Sequence, residues 1–166
     1  MRKLLVICLA VLALAACGGD KADMQSAQPV TAAAGDIIPK LDGSAWDFNV
    51  ASENPVLVSF LAVDCDSCKK MAPLVDKFAR NYKGKKVEVV LAYIDKDRAA
   101  VQEAARGLNL KNATIIYDAG EFAASLNVEV YPNTFLLNMA ANTAITWVGF
   151  NETFPKSFAY NIDKLK

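Results

Sequence analysis

The sequence predicts an α/β domain in which a mixed central sheet is covered by helices on both faces and preceded by an N-terminal β-hairpin. Three observations carry that expectation. Apolar, β-branched runs alternate with segments of helical periodicity through the middle of the chain, an apolar run "PVLVSFLAV" leads into an amphipathic segment, and two closing runs, "NTFLLN" and "AITWVGF", pair as an antiparallel hairpin. With 166 residues, 54% of them hydrophobic, the chain can bury the core of one domain. Eighteen basic residues stand against 18 acidic ones, and removing Arg2 and Lys3 leaves 16 against 18, so no basic field for nucleic acid is expected.

Taken in order, residues 1–16 read as an export leader. Arg2 and Lys3 form a basic n-region, and the apolar stretch from Leu4 to Ala16 is shorter than the roughly 20 residues of a spanning helix. Its end, Leu14-Ala15-Ala16-Cys17, resembles the lipobox of bacterial lipoproteins. That resemblance implies cleavage before Cys17 and lipidation of its sulfur; an ordinary signal peptide leaving a free Cys17 is the alternative. More than one acyl chain would tether the domain to a membrane lipid surface without spanning it. Gly18, where inner-membrane lipoproteins carry Asp, slightly favours the outer membrane if the source is Gram-negative. Residues 17–36, the lipidated Cys17 and "GGDKADMQSAQPVTAAAGD", are small and polar and read as a flexible linker. One domain then covers 37–166.

Within it, "IIPKLDGSAWDFNV" predicts a hairpin turning at Asp42-Gly43. Pro55 to Val63 reads as a fully buried parallel strand. In "KKMAPLVDKFARNY", Met71, Leu74, Val75, Phe78 and Tyr82 recur at helical spacing, with Pro73 expected to kink that helix. "KVEVVLAYID" predicts a central buried strand, "RAAVQEAARGL" a helix ending near Gly107, "ATIIYD" a short strand, "AGEFAASL" a helix, and "FPKSFAYNIDKLK" the last helix.

Chemistry concentrates in "DCDSCKK". Of four cysteines, Cys8 leaves with the leader and Cys17 is consumed by lipid, so Cys65 and Cys68 alone remain, and there is no histidine. Two ligands do not make a zinc site, so no metal is expected. Cu(I) transfer by a bare C-x-x-C pair stays open, although no Met or His cluster supports it. As a staple the pair would close only a few residues and remove little chain entropy. Its place at a strand-to-helix turn puts Cys65 at a helix N-terminus, where free N–H groups favour a thiolate.

The run "VLVSFLAVDCDSCKKMAPLVDKFARNYKGKKVEVVLAYID", with Lys69, Ala72, Pro73, Leu74 and Asp76 after the cysteines, resembles the thioredoxin superfamily. "DKDRAAVQEAARGLNL" and "NATIIYDAGEFAASLNVEVYPNTFLLN" resemble the extra βα segment of TlpA-like and ResA-like membrane-anchored members. The resemblance implies a thioredoxin-like fold and a cis Pro132 beside the cysteines, with the backbone of Tyr131 holding an extended substrate. A trans proline opening an edge strand is the alternative. It also implies no cofactor, and an electron donor of the DsbD or CcdA type in the membrane.

Departures from the family pattern matter too. Asp64 and Leu61 stand where tryptophans are common, Ser67 replaces a proline between the cysteines, and Ser59 replaces a buried carboxylate. Ser59 is expected to be a core hydroxyl bonded to backbone, which leaves Glu88, Asp95 and Glu129 as unranked groups to move protons for Cys68. Asp64 and Asp66 oppose a thiolate at Cys65 and so tilt the couple toward reduction, while Lys69 and Lys70 partly offset them. The four charges merely solvating an exposed tip is the bland alternative.

The expected function is therefore a membrane-tethered, extracytoplasmic thiol-disulfide oxidoreductase that reduces disulfides in exported proteins. Cys65 attacks, Cys68 resolves, Tyr131 and Pro132 hold the substrate, and Asp64, Asp66 and Ser67 tune the couple. An oxidase or isomerase on the same fold, and a copper-binding module, are the alternatives.

Overall fold

The structure, a computed structural model, describes residues 37–164; the expected leader, the linker and Cys17 lie outside the described residues. The N-terminal hairpin pairs β1 (Ile37–Pro39) with β2 (Ala45–Asp47), placing Ile38 opposite Trp46. Gly43 turns it at φ +91°, and Ser44 N–H donates to Asp42 Oδ1 at 2.9 Å. "FNV", expected as the hairpin's tail, instead opens a short helix α1 (Phe48–Ala51). The cause is local: Asp47 Oδ1 accepts the Asn49 N–H at 2.8 Å and caps a helical turn.

Strand β3 (Val56–Leu61) is buried at every position, Ser59 included, as its largely apolar run predicts. Helix α2 (Asp66–Tyr82) follows and runs through Pro73 without a break. Then come β4 (Glu88–Tyr93), α3 (Arg98–Gly107), β5 (Thr114–Ile116) and α4 (Gly120–Ser125). The chain closes with β6 (Asn133–Asn138), β7 (Thr143–Val148) and α5 (Phe154–Lys164). The five-stranded sheet has the order β5-β4-β3-β6-β7. Its β3, β4 and β5 are parallel, β6 runs antiparallel to β3, and β7 antiparallel to β6; the centre is β3, and "KVEVVLAYID", expected there, forms its neighbour β4.

Strand alternation sends side chains into two cores. On one face Leu57, Leu61, Leu91, Tyr93 and Trp147 pack with Cys68, Met71 and Val75 of α2 and Phe158 of α5. On the other, Trp46, Phe48, Phe60 and Phe122 form a ring cluster with centroids 5.2–5.8 Å apart. The hairpin covers the β5 edge: Lys40 bridges Ile116, and the Tyr117 N–H donates to the Pro39 carbonyl at 3.1 Å.

Helix α3 ends at Gly107, as expected, although glycine does not make the turn that follows. Gly107 is the last helical residue, and the left-handed position is taken by Asn109 at φ 55°. Asn109 N–H donates to the Arg106 carbonyl, and Leu110 N–H to that of Ala105, both at 3.0 Å, which is a Schellman motif with asparagine in the glycine role. Helix α4 repeats it with Asn127.

Candidate functional site

The parallel strands β3 and β4 end at the same pole, and the chain leaving β3 must turn there into α2. Val63 N–H donates to Asp95 Oδ2 at 3.0 Å, pinning that turn to the exit of β4. Cys65 follows as the N-cap of α2, in extended backbone conformation. Its sulfur accepts the Cys68 N–H at 3.1 Å, so a free donor of the first helical turn points at Sγ. Cys65 and Cys68 are joined in a disulfide with their Cα atoms 5.1 Å apart. Cys65 is half-buried and Cys68 is only 2% exposed, so an incoming group can reach the first sulfur and not the second.

From the other side the segment before β6 closes on the pair. The Tyr131–Pro132 peptide is cis, as expected, and the Tyr131 carbonyl lies 3.8 Å from Cys65 Sγ. In the disulfide that sulfur carries no proton, so this is a contact; a thiol at Cys65 could donate along it. Pro132 spends its own carbonyl on the Gly149 N–H at 2.8 Å, which fixes the segment against the end of β7.

The tuning residues expected from the sequence stand around this centre. Asp64, Asp66 and Ser67 are exposed. Asp66 pairs with Lys69 at 3.5 Å within the first turns of α2, whereas the ion pairs of the described residues do not include Asp64. Ser59 departs from its expected backbone bond: its hydroxyl sits 2.9 Å from that of Thr134, buried between β3 and β6. Ser59 and Thr134 face each other in the antiparallel register, which satisfies both without a carbonyl.

Of the three carboxylates left unranked, Glu88 opens β4 at the opposite end from the cysteines, where its Oε1 accepts from Trp46 Nε1 at 2.8 Å. Glu129 is exposed on the segment leading to Tyr131. Asp95 alone touches the cysteine-bearing turn. Its neighbour Tyr93, which sequence reasoning missed, is buried in the cluster that holds Cys68. Burial, with the Asp95 charge adding to it, pushes the Tyr93 phenol up to about 12. The sequence signal was present in "YID" at a strand end, but nothing marked the tyrosine as facing α2. One residue past Pro132, the buried Asn133 Oδ1 has no hydrogen-bond partner.

Among the described residues no three His, Cys, Asp or Glu side chains come together as a metal site, and no helix is long and apolar enough to cross a membrane. What the arrangement offers is a two-electron couple: one accessible sulfur activated by a helix terminus, one shielded sulfur within bonding reach, and a carbonyl edge beside them.

Comparison with known proteins points the same way. The sequence pattern of the family described as Thioredoxin matches residues 37–125. A chloroplastic M-type thioredoxin of Pisum sativum is 44% identical over 46 residues, 27% of this chain and 27% of that protein. The thiol-disulfide oxidoreductase ResA of Bacillus thuringiensis is 24% identical over 102 residues, 61% of this chain and 59% of that one. The chain thus spans less than two thirds of the length of either relative. Among solved structures, a secreted Mycobacterium tuberculosis disulfide oxidoreductase superposes with a TM-score of 0.63 at 21% identity, covering 78% of this chain and 95% of that one.

Proposed function

Because the chain belongs to the thioredoxin family, we propose that it is an extracytoplasmic thiol-disulfide oxidoreductase, tethered to a membrane through Cys17, that reduces disulfides of exported proteins. One observation carries the chemistry: Cys65 and Cys68 form a disulfide at the N-terminus of α2, with Cys65 reachable, Cys68 buried and the Tyr131 carbonyl alongside.

In the reduced protein the Cys65 thiolate attacks one sulfur of the substrate disulfide. A Cys65–substrate bond forms, the substrate S–S bond breaks, and the departing thiolate takes a proton. Cys68, as thiolate, then attacks Cys65 Sγ; the mixed disulfide breaks, and the second substrate sulfur leaves and is protonated. Two electrons have passed to the substrate, and the protein is left as the Cys65–Cys68 disulfide. A transmembrane dithiol carrier of the DsbD or CcdA type would return two electrons by the reverse exchange. Tyr131 and Pro132 offer the substrate a backbone edge. The leader-like residues 1–16 and Cys17 support export and tethering, and the mycobacterial protein of similar fold, described as secreted, supports export alone.

A second reading, an oxidant of exported thiols, is favoured by the Cys68 N–H aimed at Cys65 Sγ, which would stabilise a thiolate and hence the reduced form. The exposed Asp64 and Asp66 oppose it.

Expression of Cys68→Ser in the native host tests the reductase assignment. The expected outcome is exported proteins trapped on Cys65 as mixed disulfides, dissolved by reductant and absent from Cys65→Ser. An empty trap, together with no change in envelope thiols in Cys65→Ser cells, would contradict it.

A further inference from the structure

Resting on that redox reading, we propose that the groove between the start of α2 and helix α3 is a substrate subsite. It would take an apolar side chain, with a basic neighbour, from the polypeptide whose disulfide Cys65 opens. The groove measures about 300 Å³, and its walls are Val63 and Leu108, both half-buried, together with Ala100 and Ala104 of α3. Gly107 lines it too, and Asp64, Glu103 and Lys69 stand around it.

Position argues for a substrate as the occupant. Val63 and Asp64 are the two residues before Cys65, so the groove starts within roughly 8 Å of its Cα along the chain. β3 is flanked by β4 on one side and β6 on the other. Tyr131, leading into β6, contacts Cys65, and the groove is walled by the two residues before Cys65 and by α3, the helix that follows β4. A polypeptide with its sulfur on Cys65 and its backbone at Tyr131 therefore carries neighbouring side chains over the groove.

Gly107 argues that the space is kept open. Its backbone is not left-handed, since the turn that ends α3 places Asn109 in that conformation instead. A Cβ built at Gly107 would meet nothing within 4 Å. Neither the helix stop nor a close approach requires glycine here, and glycine is a poorer helix former than alanine. Gly107 lines the groove, and its missing side chain leaves open space there.

Charge sets the neighbour. Lys69 is engaged with Asp66, while the ion pairs of the described residues include neither Asp64 nor Glu103, both exposed. The rim is therefore net acidic and suits Lys or Arg beside the apolar residue.

The test uses a set of synthetic peptide disulfides that differ by Leu or Ala at each position flanking the cysteine, alongside glutathione disulfide; protein reduced with dithiothreitol and freed of it gives its two electrons to each in a single turnover, and the second-order rate constant is measured. Native protein should prefer Leu to Ala at one position by about tenfold, the order of a side-chain discrimination in an apolar pocket. Gly107→Leu and Ala100→Leu, which each add bulk at a lining residue, should bring that ratio near one. Glu103→Lys should reverse the gain from a Lys placed next to the Leu. Equal use of Leu and Ala peptides by native protein, or an unchanged ratio in both filled variants with native circular dichroism, would overturn the subsite while leaving the redox reading intact. No turnover of any peptide or of glutathione disulfide would overturn the redox reading, and the subsite with it.

Discussion

Asp64 and Asp66 bracket Cys65 with charges of unequal reach. Asp66 shares its field with Lys69, 3.5 Å away, whereas Asp64 has no such counter-charge among the described ion pairs. Both destabilise a Cys65 thiolate, and with it the reduced protein. Asp64→Asn should therefore raise the reduction potential, making the protein more oxidising. An exposed charge of this kind contributes at most about 1 kcal/mol, so the shift is roughly 10–20 mV, and Asp66→Asn should shift it less. A glutathione redox titration of both variants reads the order directly; a larger shift from Asp66→Asn would refute the pairing argument. At this scale the reacting sulfurs were legible because their spacing is local. Ser59 was not: its partner Thr134 lies 75 residues away, and no pattern near Ser59 announces which strand will face it.

Helices and strands are held in register around the site by contacts that the cysteines do not make. Asp76, buried on α2, binds the loop before β5: its Oδ1 accepts the N–H groups of Lys111, Asn112 and Ala113 at 2.9, 2.7 and 3.0 Å, and its Oδ2 the Asn112 side-chain amide at 2.6 Å. Burial alone would push this carboxyl up, but the four donors together outweigh it and the net shift is downward. A carboxylate whose folded pKa is depressed adds stability above its unfolded pKa, near 4, and loses it as pH falls through the folded value. Asp76→Ala should cost about 3 kcal/mol in urea unfolding at pH 7, because three backbone donors lose their acceptor. The deficit should shrink as the native protein is taken below about pH 4. A cost that does not change with pH would assign the loss to packing instead. Element boundaries were legible where side chains act on their own backbone, as at Asp42-Gly43. The end of α3 at Gly107 was legible too, although Asn109 makes the turn there; the boundary was misread where two signals compete, at Asp47, which caps a helix within what reads as strand.

For the molecule as a whole, the sheet places a chemical pair at one pole and leaves structural polar groups elsewhere. Apolar runs buried on both faces marked β3 and β4 as interior strands, but the centre expected at "KVEVVLAYID" falls one strand away, on β3, because β6 and β7 return to pair on its other side. The hairpin's attachment to β5 was not foreseeable, because it rests on backbone bonds such as Lys40 to Ile116 that carry no side-chain signature. The same pole gathers Cys65, Tyr131, Pro132, Asp95 and the groove along α3, so the proposed redox step and the proposed substrate subsite fall on one surface. The central claim is that Cys65 and Cys68 cycle as a reducing couple. Its most direct test is the equilibrium potential of the purified protein in thiol–disulfide buffers, read by alkylation of the free thiols. A reducing couple gives a two-electron transition below about −180 mV, toward the roughly −270 mV of thioredoxin. A midpoint near the roughly −120 mV of a strong oxidant such as DsbA, or no two-electron transition, would contradict it.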